Sequence, residues 1–479
     1  MSRGINDSFS KNHTLPYSAI GLQELNLAYH YPIIYWNTAS LIVNAGADED
    51  SDNNQSTDYG KIATAIADMK ERGIKVALPV INRVKFGFIP DEEHGEIIYS
   101  LKALCGIGDT VCDLIIKNQP YDSFEDFCAR MVDTKLIKDN QMIILIKAGC
   151  FTELDDEDRQ VTMRKYIKRN MFQQCEKLGM QQFNRLVDLN IIPEDLQILV
   201  RIKNFKAYVL QDKFVVKHII HEKKKVPKAG YHDRAFKLDN ISQPFFLEHF
   251  SQNSVVGVQG EYFVISEKLF EKEWKAKMQP LKDWMSQADV LALYNNALFN
   301  ALYEEKASGT VSKWEMDSLS FYYQKHELED IDEDYYNVVN FFEQPEEPQI
   351  YDTYTRTINN EKVEFPKYNI VRLAGTVLDK NNDRHSVTLL TKYGVVSLKF
   401  NKGQYGFYQK RISENGSIVD ESWFKRGTKI LVCGYRLDDV FRVCKYSDSI
   451  YKHSCMKIED ITADNKLVIT TDRKRVESE

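Results

Sequence analysis

The stretch LKALCGIGDTVCDLII, residues 101–116, sets a Gly-x-Gly between two apolar runs with helical spacing. Between two antiparallel helices, Gly106 and Gly108 permit backbone angles that other residues avoid, and they hold no Cβ against an approaching ligand. The amides of the turn and of the helix behind it then face outward, where an anion is favoured. Gly106, Ile107, Gly108 and Thr110 are therefore candidate phosphate contacts. An ordinary turn uses the same residues, so the surroundings must decide.

Downstream, PYDSFEDFCARM (120–131), with Ser123 as N-cap, and TKLIKDNQMIILIKAGCF (134–151) form a second helical hairpin that ends at Gly149. Upstream, residues 17–43 carry two helices broken at Pro32, and KIATAIADMKERG (61–73) is an amphipathic helix stopped by Gly73. IKVALPVINRVKFGFIP (74–90) reads as two short extended pieces. From about 160 to 313 helical and extended patterns alternate, and Lys272–Glu305 is the most helical part. Glu327–Pro366 is acidic and linker-like. From 368 the period shifts towards two, in NIVRLAGTVLDK, HSVTLLTKYGVVSLKF, TKILVCGYRL and FRVCKYSDSI. About five strands within a hundred residues suggest a small barrel.

The 479 residues, 43% apolar and 28% charged, fit a multidomain globular chain, and no apolar run is long enough for a membrane span. The N-terminus has no apolar signal core, and eight scattered cysteines without a CxxC pair fit a reducing cytoplasm. Net charge is −7, yet Lys367–Thr462 holds 17 Lys and Arg against 10 Asp and Glu, and KFVVKHIIHEKKKVPK (213–228) is also basic. Such segregation suits a protein with one nucleic-acid face, as well as plain solvated loops. On a barrel of this kind, Lys392, Lys399 and Lys402 would track a single strand, with Tyr393, Phe400, Tyr405, Phe407 and Tyr408 either stacking on bases or filling the core. The acidic runs around Asp155–Asp158 and Asp330–Asp332 lack the apolar strands that would fix a metal site, so no catalytic residue is assigned.

Four ordered stretches resemble the α subunit of bacterial DNA polymerase III, the C-family replicative polymerase. They are FSKNHTLPYSAI (9–20) with LAYHYP (27–32), GIKVALPVINRVKFGF (73–88), the tandem hairpins, and WEMDSLSFYYQKHEL (314–328) ahead of the barrel. Gln324-Lys325-His326 stands where Ser-Gly-His is more usual in that family. The resemblance implies a multidomain α+β chain, mostly helical over its N-terminal two-thirds with tandem helix-hairpin-helix motifs, followed by a C-terminal OB-like β-barrel. It divides the chain into the end of the polymerase fingers (1–95), the hairpins (96–160), a clamp-binding and connecting region (161–328), an acidic linker (329–366), the OB-like domain (367–462) and a tail (463–479).

It further implies that Lys11, His13 and Tyr17 face the incoming nucleotide. Gln287, Asp289 and Leu291 take the form of a peptide for a sliding clamp. The expected partners are primer–template duplex, single-stranded DNA and a separate palm-bearing chain, because the sequence opens at the fingers motif. Magnesium would belong to that palm and not to this chain. A phage-encoded split polymerase in the host cytoplasm would fit. The rival expectations are a stand-alone DNA-binding replication accessory protein and a protein-binding scaffold.

Overall fold

A computed structural model describes residues 11–46, 57–154, 157–211, 213–216, 233–358, 361–414, 416–444 and 454–470. The side chains of Lys11 and His13, the acidic loop from 47 to 56, Asp155–Asp156 and the basic stretch from 217 to 228 lie outside the described residues. The chain forms two units, Met1–Lys165 with Gly309–Glu479, and Tyr166–Ser308.

The first unit opens with α1 (Lys11–His30), α2 (Ile33–Ala45) and α3 (Tyr59–Glu71). Asp58 caps α3 by accepting from the Lys61 amide at 3.1 Å, and Ile62, Ala63, Ile66 and Met69 form its buried stripe. Gly73, at φ +75°, ends that segment. A small sheet follows, β1 (Lys75–Ala77), β2 (Ile89–Asp91) and β3 (Glu96–Ile98), in the order β1-β3-β2 with β1 and β3 parallel.

The helix expected before the Gly-x-Gly is absent: β3 leads into tight turns, with Leu104 N bonded to Leu101 O and Ile107 N to Leu104 O. Long-range anchors override the local helical pattern. The Tyr99 hydroxyl donates to Leu319 O at 2.6 Å, and the Cys105 amide donates to Ser318 O at 2.9 Å. Beyond the turn come α4 (Asp109–Lys117), α5 (Phe124–Phe127), α6 (Asp139–Lys147) and α7 (Arg159–Tyr166). Ser123 caps α5 as expected, accepting from Asp126 N at 3.0 Å. Helices α4 and α6 have nine residues each and start thirty positions apart. Ile107 and Ile137, Cys112 and Met142, and Ile115 and Leu145 are buried at matching places, so the hairpins repeat one packing unit.

The second unit contains α8 (Phe183–Asp188), α9 (Gln197–Val209), β4 (Lys213–Val216), β5 (Asp233–Leu238), α10 (Gln243–His249), β6 (Val255–Gln259), β7 (Tyr262–Ser266), α11 (Glu267–Lys277), α12 (Gln279–Met285) and α13 (Ala288–Ala307). Its antiparallel sheet runs β4-β5-β7-β6 around a core of Phe236, Phe246 and Phe270. The Asn295 side chain bonds both the amide and the carbonyl of Cys175, at 2.8 and 3.0 Å, and pins the chain's entry to α13.

The first unit resumes with α14 (Val311–Leu319), so 309–328 does not belong with the connecting region expected over 161–328. Then come α15 (Glu333–Tyr336), a ribbon of β8 (Ile350–Ile358) and β9 (Glu361–Tyr368), and the barrel strands β10 (Val371–Asn381), β11 (Ser386–Thr391) and β12 (Gly394–Lys399). Helix α16 (Lys402–Gln409), a hairpin of β13 (Ile412–Glu414) and β14 (Ser417–Asp420), and strands β15 (Lys429–Leu437), β16 (Val440–Val443), β17 (Cys455–Ile461) and β18 (Leu467–Thr470) complete it.

Strands β10-β11-β12-β16-β15 close on themselves through the β10–β15 pairing. The parallel β12–β16 pair and the helix after the third strand give the OB order. Leu373, Val387, Leu398, Val432 and Phe441 fill the barrel. At Gly375 a Cβ would lie 2.5 Å from Leu390 O, so only glycine allows that strand crossing.

Two boundary expectations need correction. Residues 329–366 are folded, not a linker: Asp332 caps α15, Phe341 inserts into the barrel core, and β8 and β9 pair along their length. The acidic residues there serve as helix caps as well as solvated charge. The supposed tail from 463 contributes β18, paired with β17, and Leu467 and Ile469 pack on the apolar cluster behind it.

Helix α14 joins hairpins and barrel. Trp314, Glu315 and Leu319 are fully buried. Glu315 accepts from the Tyr323 and Gln324 amides at 2.8 and 2.9 Å, and its other oxygen lies 2.9 Å from Arg159 Nη1. That contact is an ion pair, and the same nitrogen donates to Lys147 O at 3.2 Å. Towards the barrel, the Tyr322 hydroxyl meets Thr376 Oγ1 at 2.8 Å, and Lys429 pairs with Glu327 at 3.1 Å.

His326 completes this seam as a neutral ring. Its Nδ1 accepts from Leu328 N at 3.0 Å and its Nε2 faces Leu390 O at 3.0 Å. Burial pushes its pKa down from 6.5 to about 4. Between those values the unfolded chain binds the extra proton. The contribution, about 3 kcal/mol, is complete above pH 6.5 and lost as pH falls towards 4. Urea midpoints at pH 7.5 and 4.5 should differ more for the native chain than for His326→Gln. Equal pH slopes in the two would refute the assignment.

Candidate nucleic-acid interface

At the hairpin turn the two glycines have different duties. Gly106 sits at φ +93° and a Cβ there would lie 2.9 Å from Ile144 Cδ1, so it is required for folding. Gly108 is the N-cap of α4, in extended conformation, with open space where a Cβ would stand. The Val111 and Cys112 amides both turn back to Gly108 O. The amides of Gly108, Asp109 and Thr110 have no acceptor among the described residues, as at any uncapped helix start. Gly106, Gly108 and Thr110 are exposed, whereas Ile107 is buried and anchors the turn from inside. Lys102 Nζ lies 2.5 Å from Asp109 Oδ1, bringing a cation to the same mouth. The repeat supplies a second mouth at α6, where exposed Lys138 takes the N-cap place of Gly108 and Lys135 holds φ +62°.

The barrel separates its aromatics. Phe400, Tyr405 and Tyr408 are core residues with Trp423 and Phe424, and Phe407 packs partly against them. Burial pushes the Tyr405 hydroxyl up to about 12. Tyr393 is the more open ring, and its hydroxyl donates to Glu333 at 2.7 Å. Lys392 is tied to the same carboxylate at 3.0 Å. Burial alone would lower its ammonium, but Glu333 offsets this and holds it above the ordinary lysine range. Lys399 donates to Arg384 O, and Lys402 stands exposed in the first turn of α16.

Sequence reasoning missed the neighbours of Lys399. Strand register sets Ser386, Lys399, Arg442 and Tyr435 in one row on the outer face, and Tyr435 meets Tyr368 at 4.5 Å between ring centroids. Period-two alternation in FRVCKY puts Arg442 outward, but its place beside Lys399 follows only from the parallel pairing of β12 and β16. Cations and an aromatic pair on one barrel face can hold a strand of phosphates and bases.

The remaining expected residues are on other elements. Tyr17 is 67% exposed on α1. Gln287 is the N-cap of α13 and is exposed, as is Asp289 in its first turn, whereas Val290 is buried and Leu291 packs partly on the second unit's core. Among the described residues no group of three or more His, Cys, Asp or Glu is placed to hold a metal ion, and no helix is long and apolar enough to cross a membrane.

The helix-hairpin-helix motif family matches residues 73–161. The probable DNA polymerase YorL of Bacillus subtilis and the DNA-directed DNA polymerase of Bacillus phage SPbeta are each 38% identical over 98% of this chain. The match covers 35% of either relative, so the chain spans about a third of their length. The DNA polymerase III α subunit of Borreliella burgdorferi is 30% identical over 42% of this chain and 16% of its own length. By hairpins, barrel and sequence together, the chain is a relative of the C-family DNA polymerases and matches the C-terminal region of their α subunit.

Proposed function

We propose that this chain is the DNA-gripping C-terminal part of a split replicative polymerase of the polymerase III α type. The mouths of α4 and α6 hold duplex phosphates without reading sequence. The row through Lys399, Arg442 and Tyr435 takes the single strand beyond, with Lys392 and Lys402 at its margins. Tyr17, with Lys11 and His13, belongs to a fingers surface that faces the incoming nucleotide once the rest of the polymerase is present. Nucleotide transfer is the work of a separate palm-bearing chain, which would hold the magnesium and supply metal-assisted phosphoryl transfer. A sliding clamp would meet Gln287 and Asp289, since Leu291 leans on the chain's own core.

The observation that carries the split is the surface of α1 and α2. Their 33 residues include two with full charges, Lys11 and Glu24, and Leu22, Leu25, Tyr29, Ile33, Trp36 and Val43 are all exposed. Tyr29 is 86% exposed. Apolar residues on every side of α1 suit a helix surrounded by protein.

The test is a tagged pull-down from the native cell with nuclease present, followed by primer extension. The expected result is a stoichiometric companion with closely spaced aspartates, extension by the pair and none by this chain alone. Recovery of a soluble monomer that binds DNA without such a companion would replace this reading with that of a stand-alone accessory protein.

A further inference from the structure

Arg426 stands where the hairpin region meets the barrel, with no carboxylate partner among the described residues. Three other arginines of this unit have carboxylate partners: Arg159 has Glu315, Arg83 has Asp91 and Glu96, and Arg436 has Glu346. Instead, the Arg426 guanidinium lies over the Tyr59 ring at 4.2 Å, and its Nη2 approaches Cys105 Sγ at 3.4 Å. Burial raises the Cys105 thiol above its ordinary range, so it stays neutral and supplies no countercharge to Arg426.

The support beneath Arg426 is rigid. The Gly427 amide donates to Val377 O and the Val377 amide donates to Thr428 O, each at 2.8 Å, clamping this loop to β10. Arg426 lines an open cleft of about 690 Å³ with Asn44, Thr57, Lys61 and the start of α3. Two carboxylates share the cleft: Asp58, which is engaged with Lys61 through its amide and its ammonium, and Asp379, which packs on Gly60. Cys105 directly precedes Gly106, so the guanidinium is held beside the turn that leads to the open amides.

We propose that Arg426 is a DNA-backbone contact that grips the duplex phosphate next to the one held at Gly108–Thr110, coupling the hairpin grip to the barrel. This rests on the reading of the chain as a duplex binder. A guanidinium fixed over an aromatic ring needs little further ordering to take a phosphate with two N–H groups.

The test is anisotropy of a labelled primer–template duplex titrated with the full chain over a range of salt concentrations. Arg426→Ala should weaken binding about tenfold. The slope of log affinity against log salt should fall by about 0.9. Arg426→Lys should restore the slope but not the full affinity, and Arg411→Ala, elsewhere on the barrel, should bind as the native chain does. Arg426→Gln keeps the stem and replaces the alanine variant should that one melt early. Native affinity and native slope in Arg426→Ala or Arg426→Gln, with Gly108→Asp still impaired, would overturn this assignment alone. Absence of salt-dependent duplex binding by the native chain would remove the underlying reading as well.

Discussion

Glu315→Ala is expected to cost the first unit about 3–5 kcal/mol, the usual cost of breaking a buried ion pair by removing one partner. Three groups lose a partner at once: the Arg159 guanidinium, 8% exposed at its side chain, loses its countercharge, and the Tyr323 and Gln324 amides lose their acceptor. A loss of that size is a large share of the 5–15 kcal/mol typical of a folded domain. Urea unfolding of the full chain measures it. The double variant Arg159→Met with Glu315→Leu should recover a good part of the loss, because it leaves no charge stranded, although the two amides remain unsatisfied. A loss under about 1 kcal/mol in Glu315→Ala would mean that the pair does not hold hairpins and barrel together.

Gly108→Asp should separate binding from folding. An aspartate at this extended N-cap can accept from the free amides of α4 and meets open space, so stability should hold or rise by a few tenths of a kcal/mol. The same carboxylate takes the place of the phosphate and repels it, so affinity for primer–template should fall about tenfold or more, at least 1.4 kcal/mol. Anisotropy and thermal melting on one preparation give both quantities. Native affinity in a variant that melts normally would reduce the turn to a connector. The matched change at Gly106 is not a binding test, because φ +93° and the Ile144 contact make it a folding defect.

Much of the architecture was legible along the chain. The stripe of α3, the Ser123 cap, the stop at Gly73 and the strand period after 368 are local signals, and each appears in the fold where its spacing put it. Local signals failed where distant contacts held the chain. Residues 101–106 read as helix but are bound as turns by Tyr99 and Cys105 reaching α14. The segment 329–366 read as linker because its composition is acidic, whereas Phe341 and the β8–β9 pairing fold it.

The candidate site divides in the same way. Sequence by itself determined that Gly106-Ile107-Gly108 opens a helix, that a basic barrel follows, and that residues 17–43 carry two helices broken at Pro32, since residue type and spacing are local properties. Tertiary structure alone decided which of two identical glycines is free to meet a ligand, and which tyrosines fill the barrel. It also decided that Arg442 shares a row with Lys399 and that Arg426 reaches a turn 321 residues away. Burial and partnership depend on what lies across the core, and no pattern along the chain carries that information.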